Sequence, residues 1–141
     1  MVKKYWKEII LALVAGSFIA MFAILAVAKL LGLSRATTIA VLPQAATLAI
    51  ATQITTSLGG QAAITSLACI LNAVIIYAAG DILIKAFRLD KFDIGLGLGT
   101  AGCSAKGVEL GSVQGAMVSI AVVIIGLVMN FIVPIFVNLF M

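Results

Sequence analysis

One stretch decides the fold: residues 95–115 read GLGLGTAGCSAKGVELGSVQG. The stretch is apolar enough to enter a membrane, yet glycines interrupt it and it carries Lys106 and Glu109. Backbone that is not helical is tolerated at membrane depth only where protein or a water-filled cavity satisfies its polar groups. The stretch therefore predicts a broken or re-entrant helical element packed inside a membrane protein.

The composition of the whole chain excludes a water-soluble domain. Of the 141 residues, 64% are apolar and 10% are charged, and the mean hydropathy is +1.30. A soluble domain has about 45–50% apolar and roughly 25% charged residues. The net charge of +4 comes mostly from basic residues at the ends of apolar runs, where they set topology rather than bind nucleic acid. We predict an all-α integral membrane protein in contact with lipid, without a nucleic-acid partner.

Three apolar runs are long enough to cross a bilayer, whose core requires roughly 20 helical residues. Another broken element lies earlier in the chain, at about 37–60, where Pro43 interrupts the pattern. The three runs and the two broken elements make residues 1–141 one polytopic membrane domain. The order span, broken element, span, broken element, span is a weak internal repeat. The predicted spans are about 9–33, 62–84 and 116–140.

The distribution of basic residues predicts the topology. They cluster before the first span and after the second, and are sparser between those spans. The two clusters are Lys3, Lys4 and Lys7, and Lys85, Arg88 and Lys91. Basic clusters favour the cytoplasm, so we predict a cytoplasmic N-terminus in a bacterial inner membrane. Residues 37–60 then re-enter from outside and residues 95–115 from inside, as an inverted repeat; five full crossings with parallel repeats are the alternative.

Cofactor and metal chemistry is not expected. Residues 97–102 form a literal G-x-G-x-x-G, but a dinucleotide site needs a strand before it and an acidic residue about 20 positions later, and no Asp or Glu follows Glu109. Histidine is absent, and Cys69 and Cys103 lack metal-ligand spacing. We therefore expect no cofactor, no metal and no enzymatic activity.

The glycine-rich break instead predicts an anion site, with a half-helix that starts near Cys103 or Ser104. Free amides at a helix start attract anions, and Lys106 would lie in the first turn, so we predict that a small carboxylate binds here. The predicted binding residues are Thr47, Gly99, Thr100, Cys103, Ser104, Lys106 and Glu109. In the alternative interpretation Lys106 pairs with Glu109 at i,i+3.

Other polar and small residues have structural interpretations. Asp81 can pair with Lys85 at i,i+4, and the threonine hydroxyls of the first broken element can bond to carbonyls of their own helix. The residues at 107, 111, 115 and 119 are Gly, Gly, Gly and Ser, a spacing typical of close helix packing. A straight helix over 104–140 would be roughly 55 Å long, so we predict a turn near Gly111 or Ser112.

Four stretches resemble the LrgB/CidB-type family of antiholin-like membrane proteins, which includes the plastid glycolate/glycerate transporter. They are AKLLGLS at 28–34, LPQAAT at 42–47, GLGLGTA at 95–101 and AKGVELG at 105–111. The resemblance spans nearly the whole chain, which is similar to the C-terminal part of the family's members.

This resemblance implies one of two functions. The first is transport of a small monocarboxylate such as glycolate, glycerate, pyruvate or lactate, which the broken elements and Lys106 favour. The alternative is modulation of murein hydrolase activity and cell lysis with a small holin-like protein of LrgA/CidA type. Either function implies a homo-oligomer or a complex with the small holin-like protein. A scaffold without a solute path is a third class, and predicts that Lys106 and Glu109 tolerate apolar replacement as a pair.

Overall fold

The structure is a computed structural model that describes residues 2–141. Over those residues the chain forms helices and turns and no strand, which confirms the all-α class. The helices are α1 (Val2–Leu30), α2 (Arg35–Val41), α3 (Leu48–Ser57), α4 (Ala62–Phe87), α5 (Lys91–Thr100), α6 (Ser104–Leu110) and α7 (Ser112–Phe140).

Helices α1, α4 and α7 are each long and apolar enough to cross a membrane. The three predicted apolar runs each form one long helix, although α7 begins at Ser112, earlier than predicted, and continues through Pro134. The predicted turn near Gly111 separates α6 from α7. The two broken elements are also confirmed, since each is a pair of short helices joined by a turn.

Helix α1 ends where glycine allows the backbone to reverse. Gly32 has a φ of 65°, and the amide of Leu33 donates to the carbonyl of Ala28 at 2.9 Å. This pattern closes a helix and favours glycine, because a side chain is strained at positive φ. The chain thereby leaves the axis of α1, and Ser34 caps the next helix by accepting a hydrogen bond from the amide of Thr37 at 3.2 Å.

The same device makes the break between α5 and α6. Gly102 has a φ of 76°, and the amide of Cys103 donates to the carbonyl of Leu98 at 2.9 Å. Helix α6 then begins at Ser104, as the sequence predicts. The break in the first element lies at residues 42–47, where Pro43 supplies no amide donor.

Helices α2 and α3 form a hairpin that enters and leaves at the same end of α4. A Cβ built on Gly60, just before α4, would lie 3.3 Å from the carbonyl oxygen of Ala36 at the start of α2. Near the end of α3, the hydroxyl of Thr65 donates to that of Thr55 at 2.8 Å. Residues 35–57, the first hairpin, are therefore re-entrant and open at the N-terminal end of α4.

Helix α5 runs parallel to α7 in close contact. A Cβ on Gly95 would lie 3.3 Å from the Cα of Gln114, and one on Gly99 would lie 3.4 Å from the Cα of Val118. Equal steps along both helices therefore stay in register. Two helices can pack with their backbones this close only where the contact residue is glycine, which has no side chain.

Helix α6 returns antiparallel to α7. Gly107 of α6 faces the side chain of Val118, whereas a Cβ on Gly115, nearer the turn, would lie 3.3 Å from the Cα of Val108. This contact confirms the predicted role of these glycines in helix packing. Residues 91–110, the second hairpin, thus open at the start of α7, next to the C-terminal end of α4.

The tips of the two hairpins meet beside the middle of α4. A Cβ on Gly102 would lie 2.8 Å from the carbonyl oxygen of Ala45, so the two turns touch backbone to backbone. The side-chain amide of Asn72 in α4 donates to the carbonyl of Ala101 at 2.5 Å. Hairpins that open at opposite ends of α4 and meet at their tips form an inverted repeat, and the alternative of five full crossings does not fit these contacts.

Candidate functional site

A cavity of about 300 Å³ lies where the hairpin tips meet α4. Its polar lining comes from both breaks and includes Gln44 and Thr47 from the first and Ser104 from the second, with Cys69 on the α4 side. The cavity therefore brings together Thr47 and Ser104, two of the predicted binding residues that lie far apart in the sequence.

Thr47 keeps its hydroxyl free of a helix-capping bond. It precedes α3 in an extended conformation, and its side chain makes no cap hydrogen bond to that helix. Its neighbours differ: the hydroxyls of Thr52 and Thr56 donate to the carbonyls of Leu48 and Thr52, at 2.9 and 3.0 Å. Self-bonding is thus confirmed for those two threonines, whereas Thr47 makes no cap bond and lines the cavity.

The structure does not bring Gly99 and Thr100 to this cavity. Gly99 is buried against α7, and the hydroxyl of Thr100 donates to the carbonyl of Leu96 in its own helix at 2.8 Å. Gly95 and Gly99 of α5 serve close packing against α7, and sequence spacing alone does not distinguish this role from close approach to a ligand.

Cys103, the residue between the second break and α6, does not line this cavity. It is 3% exposed, and its Sγ atom lies 3.7 Å from the carbonyl oxygen of Ala73. It lines a neighbouring cavity of about 340 Å³ between α4 and α6, together with Tyr77 and Ala105. Of the predicted residues, Thr47 and Ser104 thus line the first cavity and Cys103 lines the second.

Lys106 reaches from α6 to α4 and pairs with Asp81. Its Nζ lies 2.9 Å from Oδ2 of Asp81, and the two side chains are 6% and 56% exposed. The predicted pairings of Lys106 with Glu109 and of Asp81 with Lys85 are wrong. The physical reason is the packing of α6 against α4: the Lys106 stem lies beside Gly80, where even a Cβ would be in ordinary contact at 3.8 Å, and Asp81 is the next residue.

Glu109 finds a different partner on α4. Its carboxylate accepts a hydrogen bond from the hydroxyl of Tyr77, and Lys106 Nζ lies 4.9 Å from the centre of the Tyr77 ring. Four side chains thus join α6 to α4 in one network, with two carboxylates and one ammonium. Sequence analysis missed Tyr77 because nothing in its local pattern distinguishes it from an apolar residue of a span.

Comparison with known proteins shows the family to which this sequence belongs. The sequence matches the LrgB-like family over residues 1–139. The chain belongs to the LrgB-like family. The resemblance of the glycine-rich and proline-containing breaks to this family is thereby confirmed, and both breaks of this LrgB-like chain lie inside the matched range.

The relatives of this LrgB-like chain include bacterial proteins of greater length. The antiholin-like protein LrgB of Bacillus cereus strain B4264 and that of Bacillus anthracis strain A0248 are each 49% identical to it over 139 residues. The matches cover 95% of this chain and 60% of each relative, so the chain spans about 60% of the length of those proteins. No solved structure was found to match it.

Proposed function

We propose that this chain is an antiholin-like membrane protein that modulates murein hydrolase activity and cell lysis, and that it acts with a small holin-like partner of LrgA/CidA type. The observation that supports this proposal is the 49% identity to proteins named antiholin-like protein LrgB. In this proposal the chain is not itself an enzyme. It lies in the bacterial inner membrane, with its N-terminus in the cytoplasm because the basic clusters flank that side.

The surface of α4 supports a partner in the membrane. In the most apolar stretch of α4, only 6% of the residues are buried within this chain. The corresponding share is 28% in α1 and 39% in α7. A helix that packs so little against its own chain is available to lipid and to other membrane proteins.

The proposal predicts that deletion of the gene accelerates lysis in the bacterium that carries it. An antiholin restrains lysis, so the deletion strain should lose optical density faster in detergent-induced autolysis, with stronger murein hydrolase bands on a zymogram. Expression of the wild-type chain should restore the slower rate. An unchanged lysis rate in the deletion strain would contradict the proposal.

A second candidate function is transport of a small monocarboxylate such as glycolate, glycerate, pyruvate or lactate. The observation that favours it is the cavity at the hairpin tips, lined by Gln44, Thr47 and Ser104. Inverted repeats whose broken helices meet near the membrane midplane are how many secondary transporters form a substrate site. In this second proposal the two hydroxyls and the amide bind the carboxylate.

Transport predicts that a substrate acid protects Cys69 from alkylation. Cys69 lines the cavity and is partly exposed, whereas Cys103 is buried, so a Cys103→Ser variant reports on the cavity alone. We expect a membrane-impermeant maleimide to label Cys69 from one side of oriented vesicles, and millimolar glycolate or lactate to slow the labelling. The matched Cys69→Ser variant should remain almost unlabelled. A labelling rate that no acid alters would argue against a substrate site.

A further inference from the structure

The outer surface formed by α4 and α6 carries ionisable side chains at membrane depth. We define this carboxylate face by Tyr77 and Asp81 of α4 and Glu109 of α6. The side chain of Asp81 is 56% exposed, Tyr77 is 43% exposed and Glu109 is exposed. All three therefore point away from the body of this chain.

The position of the carboxylate face along α4 places it within the hydrocarbon region. Helix α4 has 26 residues, and Tyr77 lies close to its midpoint. Asp81 lies about 10 Å from that midpoint at about 1.5 Å per residue. A centred α4 therefore holds both residues within the bilayer half-thickness of about 15 Å.

The charges of the carboxylate face do not balance. Lys106 neutralises Asp81 at 2.9 Å, but the carboxylate of Glu109 is bonded to the Tyr77 hydroxyl, which donates a hydrogen bond and no charge. Lys85, one turn beyond Asp81, is exposed and lies roughly 16 Å from the midpoint of α4, at the edge of the hydrocarbon region. One negative charge therefore remains within the bilayer core. An ionised side chain facing lipid is costly, and such residues almost always face protein or a water-filled cavity.

Apolar side chains border the carboxylate face on the side of the hairpin tips and on α6. On α4 the exposed neighbours towards the hairpin tips are Ile70 and Val74, at 55% and 59% exposure, and on α6 Val108 is 64% exposed. The cavity of about 340 Å³ beside Tyr77 is lined by Val74, Ala78 and Ala105 and is almost entirely apolar. A polar group inside an apolar surface with a groove beside it is typical of a helix–helix contact in the membrane.

We infer that the carboxylate face binds a transmembrane helix of a second membrane protein, and that this helix places a lysine or arginine side chain against Glu109. An apolar side chain of the same helix, about one turn nearer the membrane centre, would fill the groove between α4 and α6. This inference rests on the proposed function, because it names the surface through which a membrane partner is recognised.

Charge complementarity favours a cationic partner helix over a second copy of this chain. A two-fold dimer brings the same patch of both copies together. Two such faces would place two unbalanced Glu109 carboxylates against each other, and like charges across an interface are unfavourable. A partner helix with one cation balances the charge.

The test uses synthetic transmembrane peptides as probes. The purified chain, with a fluorophore on a C-terminal tag, is reconstituted in phosphatidylcholine vesicles, and energy transfer to acceptor-labelled Leu/Ala helices is measured. The peptides differ at one central position, which is Lys, Leu or Glu. We expect the Lys peptide to bind about tenfold more tightly than the Leu peptide. Glu109→Gln should abolish this preference, and Glu109→Lys should transfer it to the Glu peptide.

Control variants separate a specific contact from general electrostatics. Glu109→Gln retains a partner for the Tyr77 hydroxyl, so its circular dichroism and elution volume should match those of the wild type. Glu8→Gln removes an exposed carboxylate on α1 and should leave the preference for the Lys peptide intact. A preference that persists in Glu109→Gln, or that vanishes in Glu8→Gln, would overturn the inference.

Two other outcomes also decide the matter. A wild-type dimer that Glu109→Gln dissociates, together with no preference for the Lys peptide, would show that a second copy covers this face and would overturn the inference. In a second outcome, deletion of the gene changes lysis, the Glu109→Gln variant restores the wild-type lysis rate, and this variant still prefers the Lys peptide. The surface inference would then fail while the proposed lysis function stands. If lysis never responds but the charge-dependent peptide binding holds, the proposed lysis function fails and the surface assignment stands.

Discussion

Replacing Asp81 with leucine is expected to lower the melting temperature of the detergent-solubilised protein on the order of 10 °C. The physical reason is Lys106, whose side chain is 6% exposed and has its Nζ 2.9 Å from Asp81. Removal of the carboxylate leaves a buried ammonium without its hydrogen-bonded partner, and breaking a buried pair from one side is strongly destabilising. The melting temperature is measured by circular dichroism.

The two halves of the pair are not expected to be equivalent. In Lys106→Met the carboxylate that remains belongs to Asp81, which is 56% exposed at the surface of the chain rather than enclosed in it, so the loss of stability should be smaller. The double variant Asp81→Leu, Lys106→Met should recover most of the wild-type melting temperature, since packed apolar residues often replace a buried ion pair at little cost. An unchanged melting temperature in Asp81→Leu would mean that the pair does not hold α6 to α4.

The double variant also tests whether the ion pair serves function. The scaffold hypothesis predicts that an apolar pair substitutes for the charged pair, and the structure identifies that pair as Asp81 with Lys106 rather than Lys106 with Glu109. A stable double variant that no longer restores slow lysis would assign these charges a role beyond folding. A stable double variant that restores it would make them structural.

The sequence predicts the elements of this fold because their signals are local. Apolar runs of membrane length predict α1, α4 and α7, and Pro43 and Gly102 mark the two breaks. The start of α6 at Ser104 and the turn at Gly111 also follow from nearby glycines and from the limit on helix length. Each of these features depends on residues within a few positions of it.

The site could be predicted only in part, because its contacts are not local. Lys106 and Asp81 are 25 positions apart, and their pairing depends on how α6 packs against α4. Glu109 at i+3 was the nearer candidate in sequence but bonds to Tyr77, 32 positions away. Thr47 and Ser104 meet for the same reason, since the hairpin tips carry them to one cavity. Periodicity cannot supply these relationships.

The glycine pattern of α5 leads to the second large prediction: Gly99→Ala should destabilise the protein by about 1–3 kcal/mol, in the range for an overpacked core. A Cβ on Gly99 would collide with the Cβ of Ala121 and would lie 3.1 Å from the carbonyl oxygen of Val118. The obstacle on α7 includes backbone, which cannot rotate away. We expect a lower melting temperature and a smaller monodisperse peak in size-exclusion chromatography.

Gly97 provides the matched control within the same G-x-G. A Cβ on Gly97 would have no heavy atom within 4 Å, apart from its immediate chain neighbours and its own helix backbone. Gly97→Ala should therefore be neutral or stabilising, by up to about 1 kcal/mol from helix propensity. Opposite effects of one added methyl group, two residues apart, would show that α5 contributes packing rather than a ligand loop. Two variants that both fold normally but both fail to restore slow lysis would instead mean that the glycines act together in function, and the packing interpretation would fail.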